Sequence, residues 1–173
     1  MSDKYVVERE KLNELKALFE KAVENNSIED MRAHTHPDFS FVSFTDKTFQ
    51  DFDSFKKQWN ITRKEMVGSG SFSTSLDPQP TLFFDDIAIA SGSADNKLVN
   101  NKGQAFNFQN NWTTIFKRDD NNEWKVLRAH NSLDPFGNPM LVQGVKDKVF
   151  KLSILSFLIG FILCALLALL FLK

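Results

Sequence analysis

From Leu152 to Leu172 the chain reads LSILSFLIGFILCALLALLFL, with no charge, no proline and no amide side chain. As a helix rising about 1.5 Å per residue this segment is roughly 31 Å long, which matches the hydrocarbon core of a bilayer. A buried core helix of that length would need a polar stripe, because a domain of about 150 residues cannot cover it on every side. The pattern predicts a single-pass transmembrane helix close to the C-terminus, with membrane lipid as its first partner.

The flanks predict an orientation. Lys146, Lys148 and Lys151 precede the segment and Lys173 alone follows it. The positive-inside bias then places the preceding domain in the cytosol and the C-terminus on the opposite side. Met1 to Arg9 (MSDKYVVER) is charged and lacks the apolar run of a secretory signal, which agrees with that orientation. The triplets Asn25-Asn26-Ser27, Asn60-Ile61-Thr62 and Asn111-Trp112-Thr113 match the glycosylation pattern, and in this Asn-rich chain they read as chance.

Charge and cysteine usage exclude several classes of function. Of the 21 basic residues three (Lys148, Lys151, Lys173) belong to the tail, leaving 18 against 22 acidic residues, a formal charge of −4. No basic run interleaved with aromatics is present, so nucleic acid is not an expected partner. The single cysteine, Cys164, lies in the apolar tail, so no intrachain disulfide and no cysteine metal site can form. No metal or other cofactor is expected.

The periodicity divides the remainder in two. Val7 to Glu24 places Leu12, Leu15, Leu18, Phe19, Ala22 and Val23 at steps of three and four and predicts an amphipathic helix. Ser27 is a candidate cap for a short second helix, Ile28 to His34, which Pro37 closes. Phe39 to Phe44 predicts a strand, Asp46-Lys47 a turn, and Asp51 to Arg63 a third helix with Phe52, Phe55 and Trp59 on one side. Strands are predicted over 71–76, 81–93, 104–117 and 123–133, with 95–103 as a loop and Arg118 to Asn122 (RDDNN) as a tight turn. Helices first and strands afterwards indicate an α+β domain.

Asn111 to Ser132, NWTTIFKRDDNNEWKVLRAHNS, resembles the terminal hairpin of the nuclear transport factor 2-like superfamily: a strand ending in basic residues, an Asp-rich turn, Trp, an apolar strand and a His-x-Ser ending. It looks most like the SnoaL-like cyclase relatives and the association domain of calcium/calmodulin-dependent kinase, over about Glu8 to Leu133 and including His36-Pro37-Asp38-Phe39. The resemblance implies a cone-shaped, curved antiparallel sheet with the N-terminal helices packed on it, a pocket between the two, and dimerisation through the outer face of the sheet. The expected organisation is 1–135 for this domain, 136–147 for a turn-rich connector and 148–173 for the membrane anchor.

Alternation along the last strand puts Trp124, Val126, Arg128, His130 and Ser132 on one face, the set that faces the cavity in the resembling folds. Arg128 and His130 would then suit a carboxylate or other small anion, unless Arg128 is engaged by Asp38 or Asp53 and His130 is a core hydrogen-bonding group. Trp59, Trp112 and the ladder Phe106, Phe108 and Phe116 either line that pocket or fill the core. Candidate ligand-binding residues are Arg128, His130, Trp112, Trp59 and Asp38.

Isomerase or cyclase chemistry in such a cone needs an acid or base to move a proton beside a carbonyl; the candidates are His130, His34, Asp38 and Asp46. The Tyr that the superfamily's isomerases use has no counterpart, since Tyr5 is the only tyrosine. His34-x-His36 flanks a helix end and is a weak metal pattern. In the tail, Ser156, Gly160, Cys164 and Ala168 recur at every fourth position, a small-residue stripe suited to docking on a partner's membrane helix. The leading reading is a tail-anchored accessory or interaction module of a membrane assembly, dimeric through the sheet. The alternative is a membrane-tethered enzyme or binder (isomerase, cyclase or dehydratase-like) for a small hydrophobic or carboxylate ligand.

Overall fold

The computed structural model describes residues 5–44, 47–134 and 139–171, apart from the side chains of 140, 141, 143, 144, 147 and 163–171. The chain divides into two compact units, Met1–Asp134 and Pro135–Lys173.

The first unit opens with helix α1, Val6–Glu24, whose apolar stripe buries Leu12, Ala22 and Val23. Asn26 in the left-handed region (φ 56°) ends it, a conformation that Asn tolerates. The short helix that follows, Ile28–His34, is a 3₁₀ segment that buries Ile28 and Met31, and the expected Ser27 cap makes no side-chain bond. Strand β1, Thr35–Val42, begins four residues earlier than the sequence pattern indicates, and the two-residue β2 is Thr48–Phe49. Helix α2, Phe52–Thr62, is capped by Asp51, whose side chain accepts from Ser54 N at 2.7 Å. A π-turn, Arg63–Val67, extends it to Gly68, whose φ of 60° turns the chain toward β3. A Cβ at Gly68 would lie 3.2 Å from the side chain of Asn101.

Then come β3 (Ser71–Pro78), β4 (Leu82–Phe84), β5 (Ile87–Val99), β6 (Ala105–Arg118) and β7 (Trp124–Leu133). The single strand expected over 81–93 is thus a hairpin, folded at Asp85 (φ 48°), and the loop expected over 95–103 is mostly strand. Alternation explains the second difference. Asp95 and Lys97 are exposed, while Ala94, Asn96 and Leu98 are buried, so a polar-looking stretch is one polar face and one core face.

Among the described residues the sheet has seven strands in the order β2-β1-β7-β6-β5-β3, with β4 beside β5. It is mixed and not wholly antiparallel as expected, because β1 and β7 run parallel. A parallel neighbour requires a crossover, and everything from β2 to β6 supplies it. One face of the sheet takes α1 and α2 in two apolar clusters. The first is built on Leu12, Ala88, Ala90, Phe116 and Trp124; the second on Ala22, Ile28, Met31, Phe39 and Phe52. Val126 packs against both.

One edge of the sheet is β3, and two of its outward main-chain groups are engaged by side chains. Glu20 accepts from Leu76 N at 2.6 Å, Arg63 Nη1 donates to Phe72 O at 3.4 Å, and Pro78 has no N–H to offer. These devices blunt an edge that would otherwise pair with another chain.

The second unit is helix α3, Pro139–Phe171, which starts within the segment read as a connector. Phe150, Phe157 and Phe161 on it are exposed. Among the described residues no helix is long and apolar enough to cross a membrane. The described side chains of the apolar stretch end at Ile162, and the turns before Leu152 carry Lys146, Lys148 and Lys151. Residues 163–172 of the expected anchor lie outside the side chains described.

Candidate functional site

The pairing of β6 with β7 decides what faces the helices. Phe116 is opposite Val126 and Ile115 is opposite Arg128, so Leu127 has no partner and forms a β-bulge. One extra residue inverts the alternation beyond it. Trp124 and Val126 point inward as expected, but Ala129, Asn131 and Leu133 follow them, and Arg128, His130 and Ser132 are exposed on the outer face. The placement of Arg128 and His130 in the cavity is therefore corrected.

On the outer face Arg128 Nε donates to Ser40 Oγ at 2.9 Å, and His130 stands between Thr113 and Val42 of the flanking strands. Neither expected carboxylate reaches Arg128. Asp53 accepts from Arg32, and Asp38 lies exposed beside His36, with Oδ2 3.7 Å from Nδ1. Asp46 lies outside the described residues. Among the described residues no three His, Cys, Asp or Glu side chains gather around a metal position.

The inward face holds Trp59 and Trp112 but separates them. Trp59 belongs to the cluster under α2 and donates to Asn26 Oδ1 at 3.3 Å; Trp112 packs on the other cluster and donates to Ser93 O at 2.8 Å. Between them runs a row of amides that sequence reasoning missed. Asn96 Nδ2 donates to Asn110 Oδ1 at 2.7 Å and to Phe108 O at 3.3 Å, with both residues buried. Asn131 pairs in register with Trp112 and is half-buried. Among the described residues the titratable side chain at an inward strand position is Arg118, which is held over the Trp124 ring and paired with Glu8.

The concave face carries both apolar clusters. Ala88, Ala90, Phe116 and Trp124 are buried against α1. Phe41 and Trp112 on the strands and Phe55 and Trp59 on α2 are half-buried and pack against these clusters, and Phe72 on β3 is also half-buried. Arg63 spans from the end of α1 to β3. Its Nη1 donates to Val23 O and Phe72 O, and burial pushes its guanidinium below the ordinary value.

The convex face carries an apolar patch toward the β4 end. Leu82 pairs with Ile89 and Phe84 with Ile87; Ile89 faces Ile115, which faces Arg128. Leu82 and Phe84 are 58% and 56% exposed. In the second unit, Ser156 and Gly160 lie on exposed turns of α3, and the side chains of Cys164 and Ala168 lie outside the described residues.

A curved sheet with one long bulged hairpin and helices on its concave side has many solved counterparts. The fold is that of the nuclear transport factor 2-like proteins. A superfamily member from Salmonella enterica serovar Typhimurium superposes with a TM-score of 0.64 at 13% identity, covering 72% of this chain and 89% of that one. The association domain of the Caenorhabditis elegans kinase CaMKII gives 0.60 at 9% identity, over 76% of this chain and 99% of that one. A type 2 hexachlorocyclohexane dehydrochlorinase gives 0.66 at 12% identity, over 75% and 86%. At these identities the likeness speaks for fold alone, and this fold carries both an enzyme and an assembly domain. No protein-family model and no curated protein matches the sequence.

Proposed function

We propose that the chain is a non-catalytic accessory module, held at a membrane by its C-terminal helix and self-associating through the outer face of its sheet. The observation that carries this reading is the chemistry of the concave face. Proton transfer needs a titratable group free to act on the reacting atom, and the inward strand positions offer amides, threonines, apolar side chains and Arg118, whose guanidinium is paired with Glu8. The alternative enzyme reading names His130, His34, Asp38 and Asp46 as acid or base; His130 lies on the opposite face and Asp38 is exposed beside His36. Self-association is supported by the exposed Leu82–Phe84 patch and by likeness to association domains, whose assemblies use this fold. Anchoring is supported by the uncharged run Leu152–Leu172, with the domain cytosolic and the C-terminus across the bilayer. A partner's membrane helix would then contact the Ser156, Gly160, Cys164 and Ala168 stripe.

The test is extraction of membranes from cells expressing the full chain. Alkaline carbonate should leave the chain in the pellet, and detergent should release it as an oligomer with its partners. A chain washed out by carbonate, or one released as a lone monomer, would overturn the reading.

A second reading has its own observation. The half-buried aromatics Phe41, Phe72 and Trp112 on the helix side of the sheet are compatible with binding a small hydrophobic molecule.

A further inference from the structure

We infer that helix α3 pairs in parallel with a partner's membrane helix over turns that lie before the bilayer, and that this partner carries acidic residues beside an apolar seam of its own. This rests on the anchoring reading above and names the chemistry of the partner helix. Helix α3 is unbroken from Pro139 to Phe171. The uncharged run begins only at Leu152, so about 20 Å of the same helix precedes it. There Val142, Val145, Val149 and Leu152 recur at steps of three, four and three, and Ser156 continues the series into the uncharged run. At 3.6 residues per turn these five positions share a sector about 80° wide. They are the a and d positions of a two-stranded contact, with valine at a before the membrane. Val145, Val149 and Leu152 are exposed on helix α3.

Charge selects among the occupants. Lys146 and Lys148 are exposed and flank the seam on its two sides, at the e and g positions that set partner choice. Asp147, the one acid between Pro139 and Leu152, falls opposite the seam and so does not neutralise them. In a parallel pair each g position meets the e position of the partner's following heptad. A second copy would therefore set Lys148 against Ser153 and Lys146 against Leu141, with no counter-charge for either lysine. A helix with Asp or Glu at those two places pairs both. Anionic lipid headgroups would meet the lysines but leave the valine seam in water.

Three labelled peptides spanning 139–173 test this by energy transfer to the full chain in phosphatidylcholine vesicles: the unsubstituted segment, one with Leu141→Glu and Ser153→Glu, and one with Leu141→Lys and Ser153→Lys. The acidic peptide should associate about fivefold more tightly than the unsubstituted one, the worth of two exposed ion pairs, and the basic peptide more weakly than both. The acidic advantage should vanish in about 0.5 M salt, where exposed pairs are screened. Val145→Gln with Val149→Gln in the full chain should weaken all three peptides about tenfold. Phe150→Gln, which removes an exposed apolar side chain off the seam, should change none of them. Equal affinity for the three peptides, tightest binding by the unsubstituted one, or a seam variant no weaker than Phe150→Gln overturns the inference while leaving anchoring in place. A full chain that alkaline carbonate strips from the vesicles overturns the anchoring reading, and this inference with it.

Discussion

Trp124 on β7 donates its indole N–H to Glu8 Oε2 at 2.7 Å, joining the last strand to the first turn of α1 across 116 positions of sequence. Arg118 completes the contact, its Nη2 2.8 Å from the same oxygen and its guanidinium 4.2 Å over the Trp124 ring. Glu8→Ala should therefore lower the unfolding free energy by about 2 kcal/mol, since it leaves a half-buried indole N–H and a guanidinium without their acceptor. Chemical denaturation of the two proteins measures this. An unchanged midpoint would show that helix α1 docks through its apolar stripe alone.

The same carboxylate gives a pH dependence of known sign. Burial acts to raise the Glu8 pKa, but hydrogen bonds from Trp124 and Arg118 outweigh it and hold the group below its ordinary value of 4.5. A carboxyl depressed in the folded state contributes stability that is complete above the ordinary value and disappears as pH falls below it toward the folded one. The stability of Glu8→Gln should change less than that of the parent between pH 5 and the acid limit of folding. Parallel curves for the two proteins would refute the assignment.

The buried pair Asn96–Asn110 predicts a non-additive double mutant. Asn96→Val strands the Asn110 carbonyl oxygen and should cost about 1–3 kcal/mol, and Asn110→Val should cost a similar amount. The double valine variant should cost less than the sum, because neither amide is then left without its partner. Strict additivity in thermal melts would mean that the pair is solvated and does not hold β5 to β6.

This pair and the bulge at Leu127 mark the line between what is legible in the sequence and what is not. Leu12, Ala22 and Val23 repeat at helical spacing, and the α1 they form is buried along that stripe. The β6–β7 turn is equally local: Asp119 Oδ1 accepts from Asn121 N and Glu123 N. A period of two, by contrast, has no memory of an inserted residue. Strict alternation carried from Trp124 through Val126 put Arg128 and His130 inside, and one unpaired leucine reversed every position after it. The adjacent apolar residues Val126 and Leu127 were the one local sign. Asn96 escaped notice for a related reason: a buried amide is recognisable only once its partner, 14 residues away, is known.

The outer face should separate assembly from folding. Leu82→Glu with Phe84→Glu replaces two exposed apolar side chains by charges, so the melting temperature should hardly move. If this face mates with a second copy, the double variant should sediment as a smaller species than the parent in the same detergent. Arg128→Ala with His130→Ala should weaken association in the same direction. A parent oligomer that survives both pairs of substitutions would remove this face as the interface.

At the sheet's edge, Glu20 is the one side chain accepting from Leu76 N, so its removal should be felt at that amide first. Glu20→Ala should accelerate Leu76 hydrogen exchange, while amides of Ala88 and Ala90 in the buried cluster keep their rates, because local opening at an edge costs less than global unfolding. The bare edge should also raise the tendency to aggregate during refolding, since an unpaired strand is a template for another. Glu20→Gln keeps an acceptor oxygen at the same reach and should restore most of the protection. Equal exchange at Leu76 in all three proteins would show that helix α1 shields the edge by its bulk, with the carboxylate contributing nothing to it.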